Sequence, residues 1–285
     1  MPKNITLESG SYGPRAVLRS AWHPSMIGLL NANHVAELEL NAAKGWRGAD
    51  LSFLAELTEL KSFKIIDFHI KDISPVHLLP DLRQLDVSTY CATELQFSAF
   101  QRLESCGLEW RSKAKSIFDC TTLKSLFINK YKGKDVRSFA KLTNLESLAL
   151  LNAPIENIRE VSGLKKLRSL RLGLLRCLSS LTGLESLENL EELDINTCRG
   201  FQSIEEIGAL TCLKKLCLNN LGAIESLKPL DRLDGLELIS FYESTNILDG
   251  DLSPLLRQKF LSRTAFQNRR HYSLRREDLR AYAGV

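Results

Sequence analysis

The sequence reads Leu145-Glu146-Ser147-Leu148-Ala149-Leu150, then Leu167-Arg168-Ser169-Leu170-Arg171-Leu172, then Leu190-Glu191-Glu192-Leu193-Asp194-Ile195, then Leu213-Lys214-Lys215-Leu216-Cys217-Leu218. One L-x-x-L-x-L phrase thus returns about every 22 residues. The L-x-L dyad has the period of a strand, so its two apolar residues face one side and the residue between them faces the other. Such a strand must pair its N–H and C=O groups along both edges, and the neighbouring copy supplies the partner. A fixed period of this length therefore encodes a solenoid, whose units bury their apolar faces only against adjacent units.

Outward from this centre the phrase runs back through Leu123/Leu126/Ile128, Leu103/Cys106/Leu108, Leu82/Leu85/Val87, Leu60/Phe63/Ile65 and Val35/Leu38/Leu40, and forward to Leu236/Ile239/Phe241. That makes ten units, with Leu261/Thr264/Phe266 a degenerate eleventh. The connecting segments carry their own apolar residues, as in Asp72-Ile73-Ser74-Pro75-Val76 and Glu225-Ser226-Leu227-Lys228-Pro229-Leu230. Their shortness and their prolines predict single turns of 3₁₀ or irregular structure.

This pattern resembles the leucine-rich repeat family, and within it the 22-residue subclass of phosphatase regulators and bacterial internalins. The motif L-x-x-L-x-L-x-x-N/C-x-I-x-x-I/L-x-x-L is matched by Leu145 to Leu150 with Asn152, Ile155, Ile158 and Leu164. The resemblance covers residues 35–266 and implies an α/β solenoid: a leucine-rich repeat horseshoe with a parallel β-sheet on the concave face and short 3₁₀ or irregular segments on the convex face. It implies a binding scaffold, of bacterial origin, and leaves the partner open. Several units lack the asparagine of the motif, and Ser88 to Thr93 is irregular, so local distortion is expected over 88–120.

Residues 1–34 lack the repeat and are read as an N-terminal cap: a hairpin at about 3–8 and 14–20, a turn at His23-Pro24, and packing by Trp22 and Trp46. Residues 35–251 are the array. Residues 252–285 hold the degenerate last repeat and a basic C-terminal cap, which begins near Leu252-Ser253-Pro254. From Leu255 to Val285 eight Lys/Arg stand against Glu277 and Asp278. Ser273 is the expected N-cap of a terminal helix.

Apolar residues make up 44% and charged residues 25% of the 285, with a net charge of +4, the balance of a soluble globular protein without a global nucleic-acid signal. No apolar signal segment opens the chain and no stretch is long and apolar enough for a membrane helix. The seven cysteines include no CxxC pair and read as small buried hydrophobes in a reducing cytoplasm. No phosphate-binding glycine loop, nucleophile elbow or metal-ligand spacing occurs, so no enzyme, cofactor or metal is expected.

Specificity then falls to the residues between the leucines. The central outward column includes Glu39, Lys64, Asp86, Gly107, Phe127, Ala149, Arg171 and Asp194. The column before it holds Glu37 and the serines from Ser105 to Ser169, and the column after it holds Leu151 and Tyr242. Exposed aromatics on a polar floor mark binding hot spots. The expected partner-binding set is Asp86, Trp110, Phe127, Tyr131, Leu151, Arg171, Asp194 and Tyr242, with internal packing the alternative for Trp110 and Tyr131. Ten strands about 4.8 Å apart span roughly 45 Å, the scale of a protein interface rather than of a small ligand. The reading is a monomeric, non-catalytic scaffold for a protein partner. A toxin-neutralising immunity-type role is its narrower form, and RNA binding through the basic tail ranks below both. An internalin-like surface role is disfavoured by the absent signal and the unpaired thiols.

Overall fold

The computed structural model describes residues 4–282, with the side chains of 280–282 outside the description. The chain divides into two compact units, Met1–Ile128 and Asn129–Val285. In the first, the hydrogen-bonded strand order follows the sequence: β1 (Ile5–Ser9), β2 (Pro14–Leu18), β3 (Glu37–Asn41), β4 (Ser62–Ile66), β5 (Gln84–Ser88), β6 (Ser105–Glu109) and β7 (Ser125–Asn129), whose last residue opens the second unit. Strands β1 and β2 are antiparallel, and β2 through β6 pair in parallel. A short helix, α1 (Met26–Ala32), stands between β2 and β3, where the sequence suggested only a turn.

The second unit orders β8 (Ser147–Leu151), β9 (Ser169–Gly173), β10 (Glu192–Asn196), β11 (Lys215–Asn219), β13 (Leu238–Phe241) and β15 (Arg263–Phe266), again in parallel. Two-residue strands β12 (Ala223–Ile224) and β14 (Asn246–Ile247) form a separate parallel pair on the returning segments. The chain closes on α2 (Arg276–Tyr282).

Burial alternates along the strands as the L-x-L dyad requires. Leu148, Leu150, Leu170, Leu172, Leu193 and Ile195 are fully buried, while Ser147, Ala149, Ser169, Arg171, Glu192 and Asp194 face outward. At about 25 cal/mol per Å² of apolar surface, each buried leucine contributes roughly 2 kcal/mol to the array.

The return paths are 3₁₀ segments, among them Ser52–Glu56, Ser74–Leu78, Arg137–Lys141, Glu205–Ala209, Lys228–Arg232 and Ser253–Arg257. Their onsets share one device. An aspartate or serine two residues ahead accepts the backbone N–H at the start, as in Asp50 to Ser52 (2.9 Å), Asp72 to Ser74 (2.8 Å), Asp251 to Ser253 (2.9 Å) and Ser226 to Lys228 (3.0 Å). The residue between is apolar and buried (Leu51, Ile73, Leu252, Leu227), so each turn is pinned by one polar and one apolar contact. Hydrogen bonds at these onsets hold four carboxyls below their ordinary range: chiefly the Ser52 hydroxyl for Asp50, the Ser74 and Ser253 backbone N–H groups for Asp72 and Asp251, and the Arg137 guanidinium for Asp135.

After β7, β8, β9, β10, β11 and β13 one residue adopts the left-handed conformation: Lys130, Asn152, Leu174, Thr197, Asn220 and Glu243, all with φ between 53° and 60°. None is glycine, and Leu174 and Thr197 sit there at a steric cost. The tight corner lets each N–H reach the next strand's terminal carbonyl, as from Asn152 to Gly173 (2.9 Å) and Thr197 to Asn219 (3.0 Å). The next residue then points inward: Tyr131, Ala153, Leu175, Cys198 and Leu221 are buried. Asn152 is thus the exposed left-handed residue, and Ala153, not Asn152, fills the inward slot of the motif. In the first unit the corners after β4 and β5 lack the left-handed residue, and Asp67 and Thr89 turn inward one position earlier.

The 88–120 region is distorted as expected, and its cause is Arg111. This side chain turns inward and donates from Nη1 to Cys91 O (2.9 Å) and from Nη2 to Thr89 O (3.0 Å) and Thr89 Oγ1 (2.9 Å). It is followed by an eight-residue 3₁₀ segment, Ser112–Asp119. Arg269 repeats the geometry near the other end, donating from Nη2 to Glu243 O (3.2 Å) and Thr245 O (3.0 Å). Thr245 meets the same need with a hydroxyl, which donates to Leu218 O (2.6 Å) and accepts from Leu221 N (3.0 Å). Three different residues thus tie up the backbone that an asparagine ladder would.

At the N-terminal end Trp22 stacks on Phe53 (4.2 Å between centroids), with the fully buried Trp46 tilted against the same ring (6.2 Å). At the C-terminal end Phe241 and Phe266 stack at 4.7 Å, and Tyr272 edges onto both. Ser273 does not cap α2: its hydroxyl accepts from Leu252 N (2.9 Å), and Asp278 instead accepts from Arg275 N (2.7 Å).

Candidate functional site

The side chains opposite the leucines make up an open strand face. In the first unit its β3 portion is closed. Glu37 and Glu39, read from sequence as outward, are 1% and 3% exposed: the β1–β2 turn folds over Glu37, and Asn41 and Lys44 bond to Glu39. Arg15 pairs with Glu37 (2.6 Å), whose Oε1 also accepts from Tyr12 N (2.6 Å), and Lys44 pairs with Glu39 (2.9 Å). From β4 to β7 the face opens through Lys64, Asp86, Gly107 and Phe127, with Ser105 and Ser125 alongside.

Of the expected residues in this unit, Phe127 is 38% exposed, a large cost for a phenylalanine with nothing to touch. Asp86 is half-buried, and burial pushes its carboxyl up from its ordinary value. Trp110 is half-buried, with its ring 5.6 Å from that of Phe118, so its body serves the fold.

In the second unit Arg171 and Asp194 stand directly across from one another on β9 and β10 and form an ion pair at 3.0 Å. Lys215 and Glu192 do the same across β10 and β11. The face here is zwitterionic, and each of these charges already has a partner. Leu151 is half-buried and Tyr242 is 38% exposed. Tyr131 is 6% exposed and packs edge-on against Phe139 (5.4 Å), which places it in the interior rather than on the docking face.

Two features went unread in the sequence. Phe68 and Tyr90, at the corners after β4 and β5, are 45% and 65% exposed with ring centroids 4.5 Å apart. Their 22-residue spacing was the signal, visible only once the corner register is known. The basic C-terminal segment is also less free than its composition suggests: Arg257 pairs with Asp231, and Arg269 faces backbone carbonyls.

The described residues hold no cluster of three or more His, Cys, Asp or Glu suited to a metal. The buried thiols of Cys198 and Cys106 are poor nucleophiles, since burial pushes Cys198 up to about 11 and holds Cys106 well above its ordinary value. A cleft of about 740 Å³ beside α1 is lined by Tyr12, His34, Glu56, Glu59, Lys61 and Asp81, the last two paired with one another at 2.8 Å.

No protein-family model matches the chain, and none of the curated proteins does. Among solved structures, an internalin of Listeria monocytogenes is 21% identical over 90% of this chain and 87% of its own, with a TM-score of 0.60. The chain has a leucine-rich repeat fold. A leucine-rich repeat protein of Leptospira interrogans aligns over 88% of this chain and 82% of its own at 15% identity and a TM-score of 0.50. A TDR receptor aligns over 86% of this chain but only 45% of its own length, at 16% identity and a TM-score of 0.63. The leucine-rich repeat assignment accounts for the repeat period, the parallel strands and the 3₁₀ returns together. No helix among the described residues is long and apolar enough to cross a membrane.

Proposed function

We propose that this leucine-rich repeat chain is a non-catalytic scaffold that docks a protein partner on its open strand face. The observation that carries the reading is Phe127: an exposed ring on β7, beside the short serines Ser105 and Ser125 that let another surface approach closely. Arg171, Asp194, Leu151, Tyr242 and Asp86 join it as proposed contacts within their own units. A cytoplasmic setting belongs to the same proposal and is supported by seven cysteines with no disulfide among them. Residues 1–34 and 252–285 are proposed as caps of the 35–251 array, supported by the aromatic packing at both ends.

Site-specific photo-cross-linking tests the docking face. Benzoylphenylalanine at position 127 or 196 should trap a partner in native lysate, whereas the same probe at the outer positions 138 or 228 should not. Equal trapping from both faces defeats the proposal.

A further inference from the structure

One row of the open face, within the first unit, has the chemistry of a specific subsite. Asp86 lies opposite Gly107 in the β5–β6 register. The β6–β7 register follows from Lys124 N and Ser125 N, which donate to Glu104 O at 2.8 and 3.0 Å. The same doublet, from Arg168 N and Ser169 N to Glu146 O, sets Ser147 opposite Ser169. Ser105 therefore faces Ser125, and Gly107 faces Phe127. A carboxylate, a gap and an exposed ring thus follow one another on three adjacent strands, over about 10 Å.

Gly107 itself is buried, and Asp86 covers it from one side. A methyl group placed on Gly107 would collide with Asp86 Oδ1, so the carboxylate leans over the glycine toward the Phe127 side. Among the described residues its only hydrogen bond comes from Gln84 Nε2 onto the other oxygen, Oδ2 (2.9 Å), and it forms no ion pair. Lys64 stands opposite Asp86 on β4, away from the gap and beyond ion-pair reach. The open-face carboxylates Glu192 and Asp194 each have a cationic partner, as do Glu37 and Glu39 on the closed β3 portion. Asp86 is thus a half-buried carboxylate with no protein donor on Oδ1 among the described residues, reaching across the buried Gly107 toward an exposed aromatic ring.

We propose that Asp86, Gly107 and Phe127 form a docking notch for a basic side chain of the partner, arginine foremost. A guanidinium is planar, so it can lie over Gly107, fork its N–H groups onto Asp86 Oδ1 and stack on the Phe127 ring. An ammonium meets the charge but neither the plane nor the ring as well. The proposal rests on the reading of the strand face as a protein-docking surface, and its test separates the two.

The full ¹⁵N-labelled chain is titrated with N-acetyl-arginine amide and, as the uncharged control of the same shape, N-acetyl-citrulline amide. Saturable shifts of the Gly107 and Phe127 amides with the arginine probe alone are expected. Asp86→Asn should weaken binding roughly 10-fold or more, the scale of a charged hydrogen bond, and Gly107→Ala should abolish it with the melting temperature little changed. Equal shifts from both probes, or full affinity in Asp86→Asn, overturn the notch. Panning a random peptide display library on the same chain supplies the second readout. Peptides with an arginine anchor that are lost on Gly107→Ala support the notch. Peptides held on the strand face without a basic anchor overturn the notch alone, while failure to bind any peptide or probe overturns both readings.

Discussion

Thr245 offers a direct test of how the corners are held. It is 2% exposed, and its hydroxyl donates to Leu218 O (2.6 Å) while accepting from Leu221 N (3.0 Å). Thr245→Val keeps the shape and removes both bonds, leaving a buried carbonyl and a buried N–H without partners. Each such group costs about 1–3 kcal/mol. The methyl that replaces the hydroxyl returns about 1 kcal/mol through apolar burial, so a net loss of about 1–5 kcal/mol is expected. At roughly 2.1 cal/mol/K per residue, unfolding 285 residues carries an entropy near 0.6 kcal/mol/K, and the melting temperature should fall by about 2–8 °C. Thr245→Ser keeps the hydroxyl, loses one methyl and should cost about 1 kcal/mol. Urea midpoints rank the variants, and hydrogen exchange at the Leu221 amide reports the corner itself. A valine variant as stable as the serine variant, or with Leu221 still protected, refutes the assignment.

Arg111→Met should expose the Thr89 and Cys91 carbonyls to an empty slot, cost about 2–4 kcal/mol and speed hydrogen exchange over 89–96; Arg111→Lys should recover less than half, because an ammonium cannot fork. Unchanged exchange in Arg111→Met would contradict the role given to the guanidinium. The turn aspartates Asp50, Asp72, Asp135 and Asp251 have folded-state values below the ordinary 3.8, so their contribution is complete above about pH 5 and is lost as pH falls through 4. The urea midpoint should therefore drop between pH 5 and 3, with a shallower drop in Asp72→Asn; a midpoint that rises on acidification counts against the turns. Cys177 and Cys212 are exposed, so a thiol reagent at pH 8 should modify these two at once, while Cys91, Cys106, Cys120 and Cys198 wait for denaturant. Rapid modification of Cys198 would show the core to be open.

The period alone carried the fold, because a leucine at every third and second step leaves strand geometry no alternative. Glu37 was misplaced for a reason the period cannot encode: its exposure depends on a hairpin outside the array. Tyr131 and Asn152 were misplaced by one cause, a left-handed residue at the end of β7 and β8 that moves the inward slot by one. Within the candidate site, Phe127 and the Arg171–Asp194 facing pair could be read from alternation. That Arg171 and Asp194 neutralise each other depends on strand register, and the reach of Asp86 across Gly107 depends on a glycine whose meaning is three-dimensional.

The two kinds of corner bear on how such a chain can be edited. The stretch Leu145–Lys166 carries its own left-handed residue, so a duplicate of it inserted beside its parent would find donors and acceptors in step. A stretch such as Leu82–Arg102 turns in one residue earlier, and splicing it into the second unit would put Tyr90 where Ala153 or Leu175 now fits. Repeats of nearly equal length and similar leucines are therefore not interchangeable parts, and the corner residue decides which of them can be copied, deleted or recombined.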